Sequence, residues 1–444
     1  MDKKLALVHG NIYKSILTFA LPIFIGQVFQ QLYNLADAVV VGNFVGETAL
    51  AAVTSTGSLI FLLVGFFMGV FTGVSVIISR FIGAQEKEKV QRAVHTAVAF
   101  GCLAGLLLTA IGVLFCGQIL TLMGTPDEVF AEAQIYLRTY FSGVCALVLY
   151  NVACGIYQAV GDSKRPLYYL MISSVVNVLL DLLFVGAFDW GVRGAALATV
   201  SAQGLSAILA FARLMRIDAD YKITLRHITL DLPLLKEMLR IGIPSGVQNS
   251  VIAFANLVVQ ASINSFGAQV VAGHGAYTKI EGFAFIPITA FSQAVTIFVS
   301  QNIGAQKFDR VKKGANFGVA FACIVAQSFG IFFALCAPTV IGLFGEVSPE
   351  TLAFAVQRAG IGAWFYILLA YSHGTASVLR GAGHAMVPMV VMLVCWCVMR
   401  VGYIYIVTTV YHDIALVCWA YPITWGLSSI VFFFYYHKTN WLRR

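Results

Sequence analysis

The stretch PIFIGQVFQQLYNLAD, Pro22 to Asp37, is apolar apart from a spaced set of amides and one acid. Half a chain length later it returns in altered form as PSGVQNSVIAFANLVV, Pro244 to Val259. A shift of 222 residues lays Pro22 on Pro244, Gln27 on Asn249 and Asn34 on Asn256, and carries on to Gly161 on Gly383, Pro166 on Pro388 and Gly204-Leu205-Ser206 on Gly426-Leu427-Ser428. With a one-residue slip, Ile82-Gly83-Ala84-Gln85 recurs as Ile303-Gly304-Ala305-Gln306. The chain is a doubled unit, and in a membrane protein such a repeat places two bundles beside a pathway.

That the chain lives in lipid follows from its composition. Of its 444 residues 59% are hydrophobic and only 11% charged, against roughly a quarter charged in soluble domains; the mean hydropathy is +0.86. Twelve apolar runs, near 15–41, 49–79, 93–116, 130–160, 166–188, 191–216, 237–264, 270–300, 313–337, 350–380, 387–410 and 413–437, have the length of about 20 residues that a helix needs to cross a bilayer. The expected fold is therefore an all-α integral membrane protein with twelve transmembrane helices in two six-helix lobes related by pseudo-two-fold symmetry. Residues 1–216 would form the N-terminal lobe, 217–236 a cytoplasmic linker, and 237–444 the C-terminal lobe. The linker alternates Tyr221, Ile223, Leu225 and Ile228 with charged residues, which suits either a segment lying at the membrane interface or a solvated loop.

The net charge of +8 is unevenly spread. Of the 28 Lys and Arg, 23 fall before span one, after spans two, four, eight and ten, around the central connection, or at the C-terminus. Under the positive-inside rule these segments, and both termini, are cytoplasmic, in a multi-pass protein of the cytoplasmic membrane. Topology explains the basic residues, so no nucleic-acid partner is expected. The nine cysteines lie almost wholly inside apolar runs without a Cys-x-x-Cys pair, as small packed residues do. Pro22 and Pro244 are expected in first helical turns, Thr125 and Ser348 as N-caps of spans four and ten, and Pro287 as a kink.

The polar residues inside the spans carry the chemistry. Gln27, Gln30, Gln31, Asn34 and Asp37 share one face of span one. Hydrogen bonding between helices would account for the amides but poorly for Asp37, because an ionised group at mid-membrane costs about 2.5–3.5 kcal/mol or more. An acid held there exchanges its charge for a proton or a cation, which is the chemistry of ion coupling. Asn177 and Asp181 lie four apart in span five, as Thr199 and Gln203 do in span six. Oxygen ligands of this kind suit a shared proton or Na⁺. The second half keeps an amide stripe, Asn249, Asn256, Gln260 and Asn264, but Asp37 maps to Val259, and Asn177 and Asp181 map to Met399 and Tyr403. Coupling is thus expected in the first lobe only. The second half has Lys279, Glu281 and Arg400 instead, one of the two basic residues being expected to pair Glu281, as structure or as substrate contact. His274 and His373 are expected to be packed and hydrogen-bonded.

With twelve spans, the six-plus-six repeat, the pattern Pro22…Gln30…Asn34…Asp37…Gly42, the Gly-Ala-Gln turns and Gln158-Ala159-Val160-Gly161-Asp162, nearly the whole chain resembles the multidrug and toxic compound extrusion (MATE) family of the MOP flippase superfamily. The resemblance implies a secondary antiporter that exports amphipathic or cationic organic compounds in exchange for H⁺ or Na⁺ by alternating access. It implies a coupling site at Asp37, Asn177, Asp181 and Thr199 with Gln30 as neighbour, able to hold H⁺ or Na⁺. A substrate cavity is expected at Gln27, Asn34, Asn249, Asn256, Gln260, Glu281, Lys279 and Arg400. The chain departs from the branch that couples Na⁺ through acids in spans seven and ten: Ile252 and amide or apolar neighbours stand near the first position, and span ten holds no acid. The alternative is a lipid-linked oligosaccharide flippase, which needs a cationic cavity for pyrophosphate. No metalloprotease, hydrolase or phosphate-cradling motif is present, so neither enzymatic activity, a resident metal nor a cofactor is expected. A monomer is expected.

Overall fold

The computed structural model describes residues 6–45, 47–342 and 348–442; of the basic residues above, Lys3, Lys4, Arg443 and Arg444 lie outside them. Every regular element among the described residues is helical. After a single turn at Ala6–His9 come α1 (Ile12–Phe44), α2 (Glu47–Gly83) and α3 (Lys87–Leu122). The two-part α4 (Asp127–Ser142 and Val144–Ala159) and α5 (Lys164–Asp181), which runs on as a π-turn through Leu182–Ala187, lead to α6 (Gly191–Arg216). The second half repeats the series: α7 (Leu232–Asn264), α8 (Ala268–Gly304), α9 (Phe308–Gly342), α10 (Pro349–Gly362 and Tyr366–Ala382), α11 (spanning Met386–Tyr411) and α12 (Ile414–Lys438). Among the described residues eleven helices are long and apolar enough to cross a bilayer, and a twelfth is complete if the two parts of α4, bent by 48°, count as one. This is a multi-pass, all-α membrane protein.

The sequence repeat is also a backbone repeat. Gln85 and Gln306, which end the two Ile-Gly-Ala-Gln runs, both take a left-handed conformation, at φ 57° and 56°. Each turn is closed by the same pair of bonds, Gln85 N to Ile82 O and Glu86 N to Phe81 O in the first, Gln306 N to Ile303 O and Lys307 N to Asn302 O in the second. Gly161 and Gly383 likewise match, at φ 85° and 93°, where only glycine avoids a Cβ clash.

Some local expectations are corrected. Pro22 and Pro244 lie inside α1 and α7 rather than in their first turns; helices continue past proline in lipid when neighbours satisfy the freed carbonyl. Of the kink or break expected at Pro287, the break does not occur: the helix continues through it. Ser348 caps α10, accepting from Thr351 N at 3.3 Å, whereas Thr125 caps nothing: Pro126 occupies the cap position of α4 and no side chain bonds there.

Contacts divide the chain into two compact units, each taking a leading segment from the other half of the sequence. Residues 25–242 form unit 1; residues 7–24, with those from 243 onward, form unit 2. In unit 2, Asn302 Nδ2 and Arg310 Nη2 donate to the Leu7 carbonyl at 3.2 and 3.0 Å, and Lys307 Nζ donates to that of Val8 at 3.1 Å. Ile16, Phe19, Ala20 and Ile23 then bury against Ala290, Ala294 and Phe298.

In unit 1 the central connection is a strap on α3. Tyr221 and Ile223 are buried, while Leu225 is exposed, so only the first part of the alternation is used. Thr224 N donates to His95 Nε2 at 3.1 Å, Asp231 N to Thr96 Oγ1 at 3.3 Å, and Arg92 pairs with Asp231. Asp231 also caps α7 through the Leu234 N–H at 3.2 Å. That backbone donor and the Arg92 guanidinium hold its carboxyl below the usual carboxylate range.

Small residues set the helix spacing in unit 1. A Cβ on Gly73 would stand 2.2 Å from the Met238 carbonyl oxygen and 2.5 Å from Gly242 N. Backbone cannot yield as a side chain can, so Gly73→Val should destabilise by about 1–3 kcal/mol or more, read as a lower thermal midpoint in detergent. Gly275→Ala, with nothing within 4 Å of its Cβ, should be neutral or slightly stabilising. Because Asp231 is held low, its contribution is present at neutral pH and disappears as pH falls through its folded-state pKa. The gap in melting temperature between the native chain and Asp231→Asn should therefore be widest near pH 7 and close below about pH 4.

Candidate functional site

Unit 1 brings Asp37, Asn177, Asp181 and Thr199 together from α1, α5 and α6. Helical spacing places Asn177 and Asp181 one turn apart on α5, and both are buried, at 1% and 0% exposure. The Asn177 amide, oriented as its neighbours require, donates from Nδ2 to Asp181 Oδ2 at 3.0 Å and accepts at Oδ1 from the Thr199 N–H at 3.3 Å. The carboxyls of Asp37 and Asp181 lie within hydrogen-bonding reach of each other. Asp181 is the last α-helical residue before the π-turn at Leu182–Ala187, a local widening found often at functional positions.

The group is short of positive charge and of donors. Among the described residues Asp37 Oδ1, Asp181 Oδ1, Thr199 Oγ1 and, one turn further along α6, Gln203 Oε1 are buried without a hydrogen-bond partner. Among the described residues no ion pair reaches either acid. Two carboxyls in contact cannot both be ionised cheaply: at 4 Å and an effective dielectric constant of 20, two unit charges repel by about 4 kcal/mol. One proton shared between them, or one hard cation among the oxygens, removes that repulsion. Tyr33 and Tyr136 stand in the electrostatic surroundings of the acids, and Tyr140 stacks on Tyr136 at 6.4 Å. A hydrophobic cluster of Val40, Val41, Val185, Val192, Ala195 and Ala196 packs beside them.

The remaining predicted residues fare differently. Gln30 is half-buried, two turns before Asp37 on α1. Gln27 and Asn249 are half-buried and Asn34 and Asn256 exposed, while Gln260 donates to Asn264 Oδ1 at 2.9 Å. In unit 2 the expected pairing of Glu281 is corrected. Its partner is Arg358, Nη2 to Oε2 at 3.6 Å, an α10 residue absent from the sequence-based expectations. The available signal was an arginine ten residues into an apolar span. Lys279 is exposed, because it sits two residues from Glu281 and so on another face. Arg400 is buried and spends Nε and Nη2 on Thr424 Oγ1, at 3.1 and 2.8 Å. His274 and His373 are packed as expected, but His274 Nδ1 and His373 Nε2 lack hydrogen-bond partners.

Twelve apolar helices in duplicated order, with acids and amides placed inside them, define a membrane transporter rather than an enzyme. Comparison with known proteins agrees: the MatE family signature matches residues 22–183 and 244–406, both halves of the repeat. The chain belongs to the MatE family of multidrug efflux transporters. It is 28% identical over 434 residues to the probable multidrug resistance protein YoeA of Bacillus subtilis, covering 96% of this chain and 94% of that protein. It is 26% identical to the probable multidrug resistance protein YpnP of the same organism, covering 88% and 87%. A solved structure of an outward-facing multidrug resistance MATE family transporter of the MOP superfamily superposes with a TM-score of 0.90 at 25% identity, covering 98% of this chain and 97% of that one.

The Asn177 amide bridges Asp181 and the α6 backbone, so its loss leaves buried polar groups unpaired, each at about 1–3 kcal/mol. Asn177→Ala should lower the thermal midpoint in detergent accordingly, and Asn177→Asp, which adds a third carboxyl to a group lacking cations, should lower it further.

Proposed function

We propose that the chain is a secondary antiporter of the cytoplasmic membrane, with both termini inside, that exports amphipathic or cationic organic compounds in exchange for H⁺ or Na⁺ by alternating access, acting as a monomer. The observation that carries this reading is the pair of contacting acids, Asp37 on α1 and Asp181 on α5, among unsatisfied oxygens inside membrane-spanning helices. The oxygens of Asp37, Asn177, Asp181 and Thr199 fit a hard cation or a shared proton equally well.

Occupancy decides whether α1 stays joined to α5. With a proton or cation in place, the two acids attract through it and the contact holds; with both ionised, they repel and the contact opens. A coupling ion does work on the substrate only through such a difference between states. The ion thus biases α1, and with it Gln27 and Asn34 further along the same helix. The amides of Gln27, Asn34, Asn249, Asn256 and Gln260 supply adaptable polar contacts for varied substrates, and the aromatic residues of the chain supply faces that attract organic cations.

The test is ethidium transport in proteoliposomes under an imposed pH gradient and, separately, an imposed Na⁺ gradient. One gradient should drive transport of the native chain, and Asp37→Asn should reduce that transport at least about tenfold while keeping a native-like thermal midpoint. Undiminished transport by a folded Asp37→Asn protein would remove the coupling role assigned to this pair. Folded native protein that moves no ethidium under either gradient would favour the lipid-linked sugar flippase.

A further inference from the structure

Unit 2 holds a second buried charged group, and its charges do not balance. Glu281 on α8, Arg358 on α10 and Arg400 on α11 are 8%, 3% and 1% exposed. Arg358 pairs with Glu281, and Arg400 lies within electrostatic reach of the same carboxylate while bonding only Thr424. Two guanidiniums thus share one acid. The other acids of these helices and of α12 are Glu350, in the first turn of α10, and Asp413, the cap of α12, and both are exposed. His274, which neighbours Arg358 electrostatically, can only add positive charge.

The surroundings of the two arginines are built for cations but supply no second anion beside Glu281. Arg358 lies over the rings of Tyr277 and Tyr421, at 4.9 and 4.7 Å from their centroids. Arg400 lies over Trp396 and Tyr421, at 5.2 and 4.6 Å. Such contacts offset only part of the cost of burying each ion. Among the described residues Nε and Nη1 of Arg358 are buried without a hydrogen-bond partner, and the Cys418 thiol is the further polar group within reach of this guanidinium. The Tyr277 and Tyr366 hydroxyls bond each other at 2.8 Å, which uses one of their two O–H donors and leaves one. The group therefore offers guanidinium and phenol donors, an excess charge of one, and aromatic walls on both sides.

We propose that the Glu281, Arg358 and Arg400 group of unit 2 binds one small monovalent anion of halide size, received by the free donors of Arg358 and neutralised jointly by Arg358 and Arg400. The burial of Arg358 and Arg400 restricts the site to a small ion, and the charge follows from the count of ionised groups. This site is separate from the Asp37 and Asp181 pair and does not rest on the coupling role proposed for it.

The experiment is thermal unfolding of the purified full chain in detergent, with sodium bromide replacing sodium gluconate at constant Na⁺, pH and ionic strength. Bromide should raise the melting temperature of the native chain saturably, as a ligand of the folded state does. Glu281→Gln removes the competing negative charge, so half-saturation should come at a bromide concentration at least about fivefold lower. Arg400→Met balances the remaining pair and should abolish the bromide effect. A native chain with the same melting temperature in bromide and gluconate overturns the proposal, as does an unchanged half-saturation in Glu281→Gln. Should Arg400→Met fail to fold, the Glu281→Gln shift alone decides.

Discussion

A carboxylate inside a bilayer has to be answered by a proton, a cation or a guanidinium, because hydrocarbon supplies none of the solvation it loses. The two halves of this chain descend from one pattern yet answer that constraint in opposite ways. Unit 1 sets two acids in contact, and among its described residues no base pairs with either. Unit 2 replaces the equivalents of Asp37, Asn177 and Asp181 with Val259, Met399 and Tyr403 and puts a fixed guanidinium against its one buried acid. The first arrangement can change its charge during a cycle; the second holds its permanent cations in place.

The same low-dielectric setting shapes the packing. Without a hydrophobic drive between helices, close backbone approach has to supply cohesion. The glycines provide it where Gly73 meets Gly242 and where Gly381 lies against the Thr296 carbonyl. Tight contacts of this kind fix the spacing of the helices they join. Departures from regular α-helix are confined to a few places, and two of them border the buried charges: the π-turn at Leu182–Ala187 begins just after Asp181, and the one at Leu393–Met399 ends just before Arg400.

Most of the architecture is legible in the sequence because the signals are periodic. Twelve apolar runs, and amides and acids at helical spacing, are properties of single segments, so helical spacing by itself puts Asn177 and Asp181 on one face. What escapes is relational. For Glu281 two bases are expected from the sequence, Lys279 and Arg400; periodicity within α8 sets Lys279 on another face but cannot bring in Arg358 from α10, the partner the fold supplies. Thr125 has the right chemistry for a cap but precedes a proline that takes the capping place. The linker shows an alternation fit for an interface, whereas half of it is spent on burying Tyr221 and Ile223 against unit 1. In each case the outcome depends on which distant segment arrives, and no local pattern carries that information.

The exchange of leading segments has a consequence for the history of the chain. Neither repeat is a finished object: the first lacks residues 7–24 from its own compact unit and the second lacks those preceding 243. A gene encoding only one repeat would have made subunits that traded ends with a second copy, as domain-swapped dimers do. Fusion would then have made the trade permanent, since one chain now carries both of the exchanged segments.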